Sequence, residues 1–410
     1  MKTRIRWSLA LAFLLIARTE STAQFKNDNV KFKTVFMEDL CDALAANPGY
    51  MLLDARNTRE HGDSSKNATY NMGRLRNSTN IDFQELSKRL GEIKVGKNDP
   101  IFVYCAHSAG SRYASATLAD NGFTNVFNIN GGMSMFNQLK DSSIPCAEAL
   151  FETENRFNLV SPRELLGRLK SGKYPVIIDV RSDSVYRGIS SEEKFNAYGT
   201  IKISVNIPLN TLEASLSKIP KSSSIIVVDD NGVESRAAAK LLVANGYNDV
   251  GILFYGMSAW AEEKTSDMPG REKYWSHRAP YSFLTADDFD SLARKVKLKI
   301  VDVRSADEFT NKSKMSSRNK GNIKGAVNIP YQALNNRIAE LEAYKNEPMV
   351  VNHYSGDGDA FRAARLLSDA GFKKVYVLLG GLNNLRWRAA NVKGKARLGS
   401  WVQNVPAENL

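Results

Sequence analysis

The residue with evident chemistry is Cys105. It closes the apolar run "PIFVY" and is followed at once by Ala106, His107, Ser108, Ala109, Gly110, Ser111 and Arg112. Beyond these, Tyr113, Ala116 and Ala119 recur at helical spacing, so the pattern reads strand, tight loop, helix, with one sulfur at the hinge. Cysteine acts as a nucleophile in its thiolate form, and a free thiol ionises only near about pH 8.5. Consecutive backbone N–H groups in a tight turn, backed by a helix N-terminus, make an anion nest that favours the charged sulfur. Ala109 and Gly110 keep side-chain bulk off that sulfur, and Ser108 and Ser111 offer hydroxyl donors. Arg112 either adds positive charge beside the sulfur or points to solvent from the first helical turn. His107 suggests an imidazolium partner, although nest amides stabilise a thiolate without one. The expected site is therefore catalytic Cys105 with residues 106–112 binding substrate.

Bulk composition sets the limits. A chain of 410 residues holds two to four domains of about 100–200 residues each. The net charge is +12 but dispersed, with no Lys/Arg block like a nucleic-acid arm, so no nucleic-acid partner is expected. A basic surface suits a small anionic substrate, and also simple solubility. Three cysteines exclude a disulfide scaffold. Cys41 lies in a helical pattern with Phe36, Leu40 and Leu44, and Cys146 lies between domains; both read as inert, small apolar residues rather than as a bonded pair. Asp357 and Asp359 in "SGDGDA" lack the ligand spacing of a calcium loop and read as a solvated acidic turn. No metal and no organic cofactor is expected.

The N-terminus carries Lys2, Arg4 and Arg6, an apolar core from Leu9 to Ala17, and small residues at Ser21, Thr22 and Ala23. This is a secretory signal pattern over residues 1–23, shorter than a membrane span. It predicts an exported protein, periplasmic or extracellular, beginning at Gln24. Arg18 and Glu20 leave a retained anchor open.

The elements that must position Cys105 occur three times. "MLLDARNTREH", "VIIDVRSDSVY" and "KIVDVRSADEF" carry Asp54, Asp179 and Asp302, spaced by 125 and 123 residues. "GRLRNSTNI", "GTIKISVNI" and "GNIKGAVNI" follow, then three strand–loop–helix phrases, then "NINGGMSMF", "ILFYGMSAW" and "VLLGGLNNL". Four phrases in one order, at a domain-sized period, mean three homologous domains. Short buried strands alternating with helices argue for α/β domains with mainly parallel sheets, whose sites lie at the carboxyl ends of the strands.

The order of "LLDAR", "GRLRNSTNI", "VYCAHSAGSRYASATLADNGF" and "NINGG" resembles the rhodanese-like (sulfurtransferase) domain family. The resemblance implies three tandem copies, each a mainly parallel sheet with helices on both faces, at residues 28–149, 152–267 and 279–390, with a C-terminal tail at 391–410. The family includes sulfurtransferases with a loop cysteine and inactive versions without one. The resemblance implies sulfur transfer at Cys105 from thiosulfate or a related small anionic donor to a thiol or cyanide acceptor. Copy two has Asp229 in place of Cys105. Copy three, whose loop is about one residue longer, has His353 or Tyr354. Neither can form a cysteine persulfide, so the later copies are expected to dock a protein partner, cover the first site, or stabilise it. Asp54 and Arg56 match a motif pair of the family that recurs in all copies, which favours a structural charge pair. Two rivals remain: a non-catalytic binding or scaffold protein, and a cysteine phosphatase or arsenate reductase. The latter needs arginine six residues after the cysteine, where this chain has Ser111.

Overall fold

The computed structural model describes residues 28–172 and 175–406; the expected signal segment lies outside them. Within it, three five-stranded parallel sheets repeat one order. In the first domain the strands run Lys33–Val35, Val126–Ile129, Ile101–Tyr104, Met51–Asp54 and Thr79–Asn80 across the sheet. The second runs Asn158–Val160, Val250–Leu253, Ile225–Val228, Val176–Asp179 and Val205–Asn206. The third runs Ser282–Leu284, Lys374–Leu378, Pro348–Asn352, Lys299–Asp302 and Ala326–Asn328.

Helices cover both faces because alternate strand residues point to opposite sides. Leu52, Phe102 and Tyr104 pack with Leu40, Leu44, Met133 and Phe136 on one face. Leu53, Ile101 and Val103 pack with Ala114 and Leu118 on the other. The cores do not stop at domain boundaries. The first of these faces is continuous with Ile225, Val227, Ala238 and Leu242 of the second domain. The second domain's Leu165, Trp260 and Ile226 are in turn continuous with Ala363, Leu367 and Val351 of the third. The third domain returns to the first through hydrogen bonds: Asn130 Nδ2 donates to the Ala390 carbonyl at 3.0 Å, and Lys393 pairs with Asp39. The three domains thus close a ring.

Each domain is finished by a short antiparallel strand beyond its expected boundary. Phe151–Glu152 pairs with Arg74–Leu75, Trp275–Ser276 with Thr200–Ile201, and Val402–Gln403 with Asn322–Ile323. The segment after 390 is therefore part of the third domain rather than a tail: Leu398 is buried in its core and Trp401 packs against it. No helix among the described residues is long and apolar enough to cross a membrane.

Buried strand-end charges brace every copy. Arg56 binds Asp54 and the Gly73 carbonyl, Arg181 binds Asp179 and the Gly199 carbonyl, and Arg304 binds Asp302 and the Gly321 carbonyl. The Asn80, Asn206 and Asn328 amides each bridge the two carbonyls of their Asp–Arg pair. These pairs tie a strand end to the chain that crosses it, the structural role expected of them.

The reading of Cys41 and Cys146 as inert is overturned: they form a disulfide across 105 residues. Sequence could not place the helix Leu40–Ala45 against the segment after Ile144; tertiary packing does. Closing so long a loop constrains the unfolded chain. Replacing both cysteines by alanine, or reducing the bond, is expected to cost about 2–4 kcal/mol, read as a lower urea midpoint. An unchanged midpoint would mean that the bond contributes nothing.

Candidate active site

Cys105 stands where the central strand Ile101–Tyr104 ends, and the helix Ala109–Asp120 begins four residues later. The chain makes this turn through Ser108, which sits at φ 89°, a left-handed conformation that costs a non-glycine residue energy. Two bonds hold it there. Its N–H donates to Cys105 Sγ at 3.1 Å, and its hydroxyl accepts the N–H of Gly131. Ser111 Oγ lies 3.5 Å from Sγ. The N–H groups of Ala109, Gly110 and Ser111 open the helix and have no intrahelical carbonyl to bind. The positive dipole end of a helix stabilises an anion beside it. A Cβ added at Gly110 would lie 3.1 Å from the Phe83 ring and 3.6 Å from Cys105 Cβ, so this glycine leaves the space beside the sulfur open.

The loop is clasped from behind. Met133 N–H donates to the Cys105 carbonyl at 2.9 Å and Ser134 N–H to the Ala106 carbonyl at 3.0 Å. A Cβ on Gly132 would meet the Cys105 carbonyl at 2.2 Å, so only glycine permits that approach. The same clasp joins Met257 to Asp229 and Leu382 to His353. Strand register agrees: Tyr104, Val228 and Asn352 all stand beside their domain's strand-end aspartate. His353, not Tyr354, is therefore the third counterpart of Cys105.

Copy two shows what the nest takes. The Asp229 carboxylate accepts the N–H of Gly232 at 2.7 Å and of Ser235 at 3.1 Å, the positions equivalent to Ser108 and Ser111. That copy fills its own anion nest with a side chain. In copy three, His353 Nδ1 lies 2.8 Å from Asp357, which also binds Arg318; Asp359 pairs with Arg362. The "SGDGDA" turn is thus ion-paired rather than simply solvated. No group of residues able to hold a metal occurs among the described residues.

Two expectations change. Arg112 neither flanks the sulfur nor points to solvent. It is buried, its guanidinium 2.9 Å from Asp28 and bonded to Asn130 at 2.8 Å and Asn391 at 3.0 Å. Its place on the inner face of the helix turns it toward the junction with the third domain. His107 is not an imidazolium. Burial, reinforced by the Arg56 charge, pushes its pKa down to about 4. Its Nε2 is 2.9 Å from Tyr255 Oη, and its carbonyl accepts Trp387 Nε1–H at 3.2 Å. Ala106 is buried on the loop, and Ala109 is exposed at the first position of the helix.

Sequence reasoning missed Tyr70, Tyr255 and Trp387. Tyr70 packs edge-on to His107 at 5.6 Å. Burial raises its pKa, and negative charge at Glu60 and Cys105 adds to the rise. Tyr255 carried a signal: it replaces the first glycine of the "GG" phrase, yet sits at φ 58°. Trp387 gave none, since nothing within the third domain indicates contact with the first.

With this geometry in place, the comparisons are decisive on family. The rhodanese-like domain matches three stretches, residues 37–139, 161–263 and 285–387. The chain belongs to the rhodanese-like domain family. "Uncharacterized protein YibN" of Escherichia coli (strain K12) is 32% identical over 116 residues, 27% of this chain and 73% of that protein. "Uncharacterized protein YqhL" of Bacillus subtilis (strain 168) is 37% identical over 60 residues, 15% of this chain and 46% of that protein. A thiosulfate sulfurtransferase structure from Pseudomonas aeruginosa aligns over 85% of this chain and 66% of its own, at 17% identity and a TM-score of 0.21. A superposition that loose carries no functional argument.

The lowered pKa of His107 means its neutral form persists until the pH falls through about 4. Imidazole NMR of the labelled protein is expected to show His107 neutral at pH 6; a normal titration near pH 6.5 would show the ring to be solvated.

Proposed function

We propose that the first domain of this rhodanese-like chain is a sulfurtransferase working through a Cys105 persulfide. The observation that carries this reading is the nest at Cys105. Its donors are arranged as in copy two, where they hold a carboxylate, but here the residue facing them is a nucleophile. The thiolate attacks the outer sulfur of thiosulfate or a related donor. The donor's S–S bond breaks, and sulfite leaves with the bonding pair. The persulfide anion then rests against Ser108 N–H and the free N–H groups of the first helical turn. A thiol or cyanide takes the outer sulfur and returns Cys105 as thiolate. Ser108 and Ser111 supply polar atoms against the sulfur, and Gly110 the room. Neutral His107 holds the loop in place rather than moving the proton.

Copies two and three do not share this chemistry. Asp229 already occupies its nest and cannot store sulfur, and His353 is tied to Asp357. They act as walls and braces for the first site. A phosphatase mechanism is disfavoured, because Arg112 is engaged by Asp28 and two asparagines instead of facing a bound oxyanion.

Cys105→Ser is expected to abolish thiosulfate-dependent sulfur transfer in a folded protein. Mass spectrometry of the wild type with thiosulfate should find one extra sulfur atom on the peptide containing Cys105. Turnover retained in the variant would place the chemistry elsewhere.

We also propose export, supported by the basic and apolar N-terminal pattern and by a disulfide suited to an oxidising compartment. N-terminal sequencing should return Gln24. An abundant cytosolic form starting at Met1 would rule this out.

A further inference from the structure

The ring encloses a cavity of about 520 Å³ at the junction of all three domains. Its wall is built from equivalent positions of the three copies. His107, Asn231 and Ser355 occupy one such set, two residues past Cys105, Asp229 and His353. Gln138, Glu262 and Trp387 occupy another, six residues past the clasping glycine. Three copies of one fold packed only for stability would close this centre with matched apolar side chains. Instead it is open, of mixed polarity and different on each side.

Glu262 is the residue that folding does not explain. It ends the helix Gly256–Glu262, where the negative pole of the helix disfavours a carboxylate. Its counterparts Gln138 and Trp387 are uncharged. No hydrogen bond reaches its carboxylate among the described residues, and burial pushes its pKa up to about 7. Neither cation whose charge reaches it, Lys194 or Arg388, forms an ion pair with it among the described residues. Arg388 is held by Asp287 at 2.7 Å, Lys194 lies over the Tyr198 ring, and Glu263 binds Arg163. The Tyr198 phenol also faces it. Gly356 lies across from it: a Cβ there would stand 3.2 Å from the Tyr198 hydroxyl and 4.0 Å from Glu262 Oε1. The aromatic rings of His107, Tyr255 and Trp387 line the same cavity.

We propose that this cavity is a binding site for a small ammonium compound, its cationic nitrogen against Glu262 and its carbon groups against the Tyr255 and Trp387 rings. An unpaired carboxylate within aromatic walls attracts an organic cation by charge and by the ring quadrupoles. The site does not depend on sulfur chemistry. It adjoins the Cys105 loop through His107, which Tyr255 and Trp387 hold from the cavity side.

The test is calorimetric titration of the full-length protein with choline and with ethanolamine, a quaternary and a primary ammonium probe. The uncharged 3,3-dimethylbutan-1-ol is the isostere control for choline. At least one ammonium probe is expected to bind saturably, with Kd on the order of 0.1–1 mM at pH 8. Because the carboxylate must be ionised, binding should weaken about tenfold at pH 6. Glu262→Gln should weaken it tenfold or more, while Cys105→Ser should bind as the wild type does. The proposal falls if neither probe binds at about 20 mM, if the uncharged isostere binds as well as choline, or if Glu262→Gln keeps full affinity. Binding in Cys105→Ser stands or falls separately from sulfur transfer, so failure of one reading is told apart from failure of the other.

Discussion

The organisation of this protein depends on a backbone contact that occurs three times. A carbonyl at the end of the central strand accepts the first free N–H of a helix that begins with a glycine in the left-handed region. At Cys105 the bond is 2.9 Å, at Asp229 2.8 Å and at His353 3.0 Å. A side chain on Gly132, Gly256 or Gly381 would overlap the loop backbone at 2.2, 2.4 and 2.3 Å. The contact fixes the direction in which the loop leaves the sheet. It thereby decides where the nest opens and which residues reach the centre of the ring.

Order in the ring then separates the copies. The helices after the second and third loops enter cores shared with the domain before them. Ala238 and Leu242 enter a core shared with the first domain, and Ala363 and Leu367 one shared with the second. The helix after Cys105 differs, since its Ala114 and Leu118 lie in a core made of first-domain residues alone. Its outer face remains accessible, with Tyr113 68% exposed. The third domain meets the first through Arg112, Asn130 and Asn391, and its Trp387 and Val392 pack against the core that holds Leu40, Met133 and Phe136.

Much of this was legible in the chain itself. Local residues determined the strand–loop–helix around Cys105, the three-fold repeat, the α/β class and the replacement of cysteine by Asp229, because each depends on periodicity and on contacts within a few residues. The Asp–Arg pairs were readable as structural because they recur where cysteine does not. Tertiary structure decided the rest. The Cys41–Cys146 bond spans 105 residues, and Arg112 reaches Asp28 and Asn391 across 84 and 279 positions. His107 is neutral through burial and the Arg56 charge, and its ring and carbonyl are held by Tyr255 and Trp387 from two other domains. Side-chain type and spacing specify which groups are present; what charge they carry and what they face depends on desolvation and on neighbours brought together only when the ring closes.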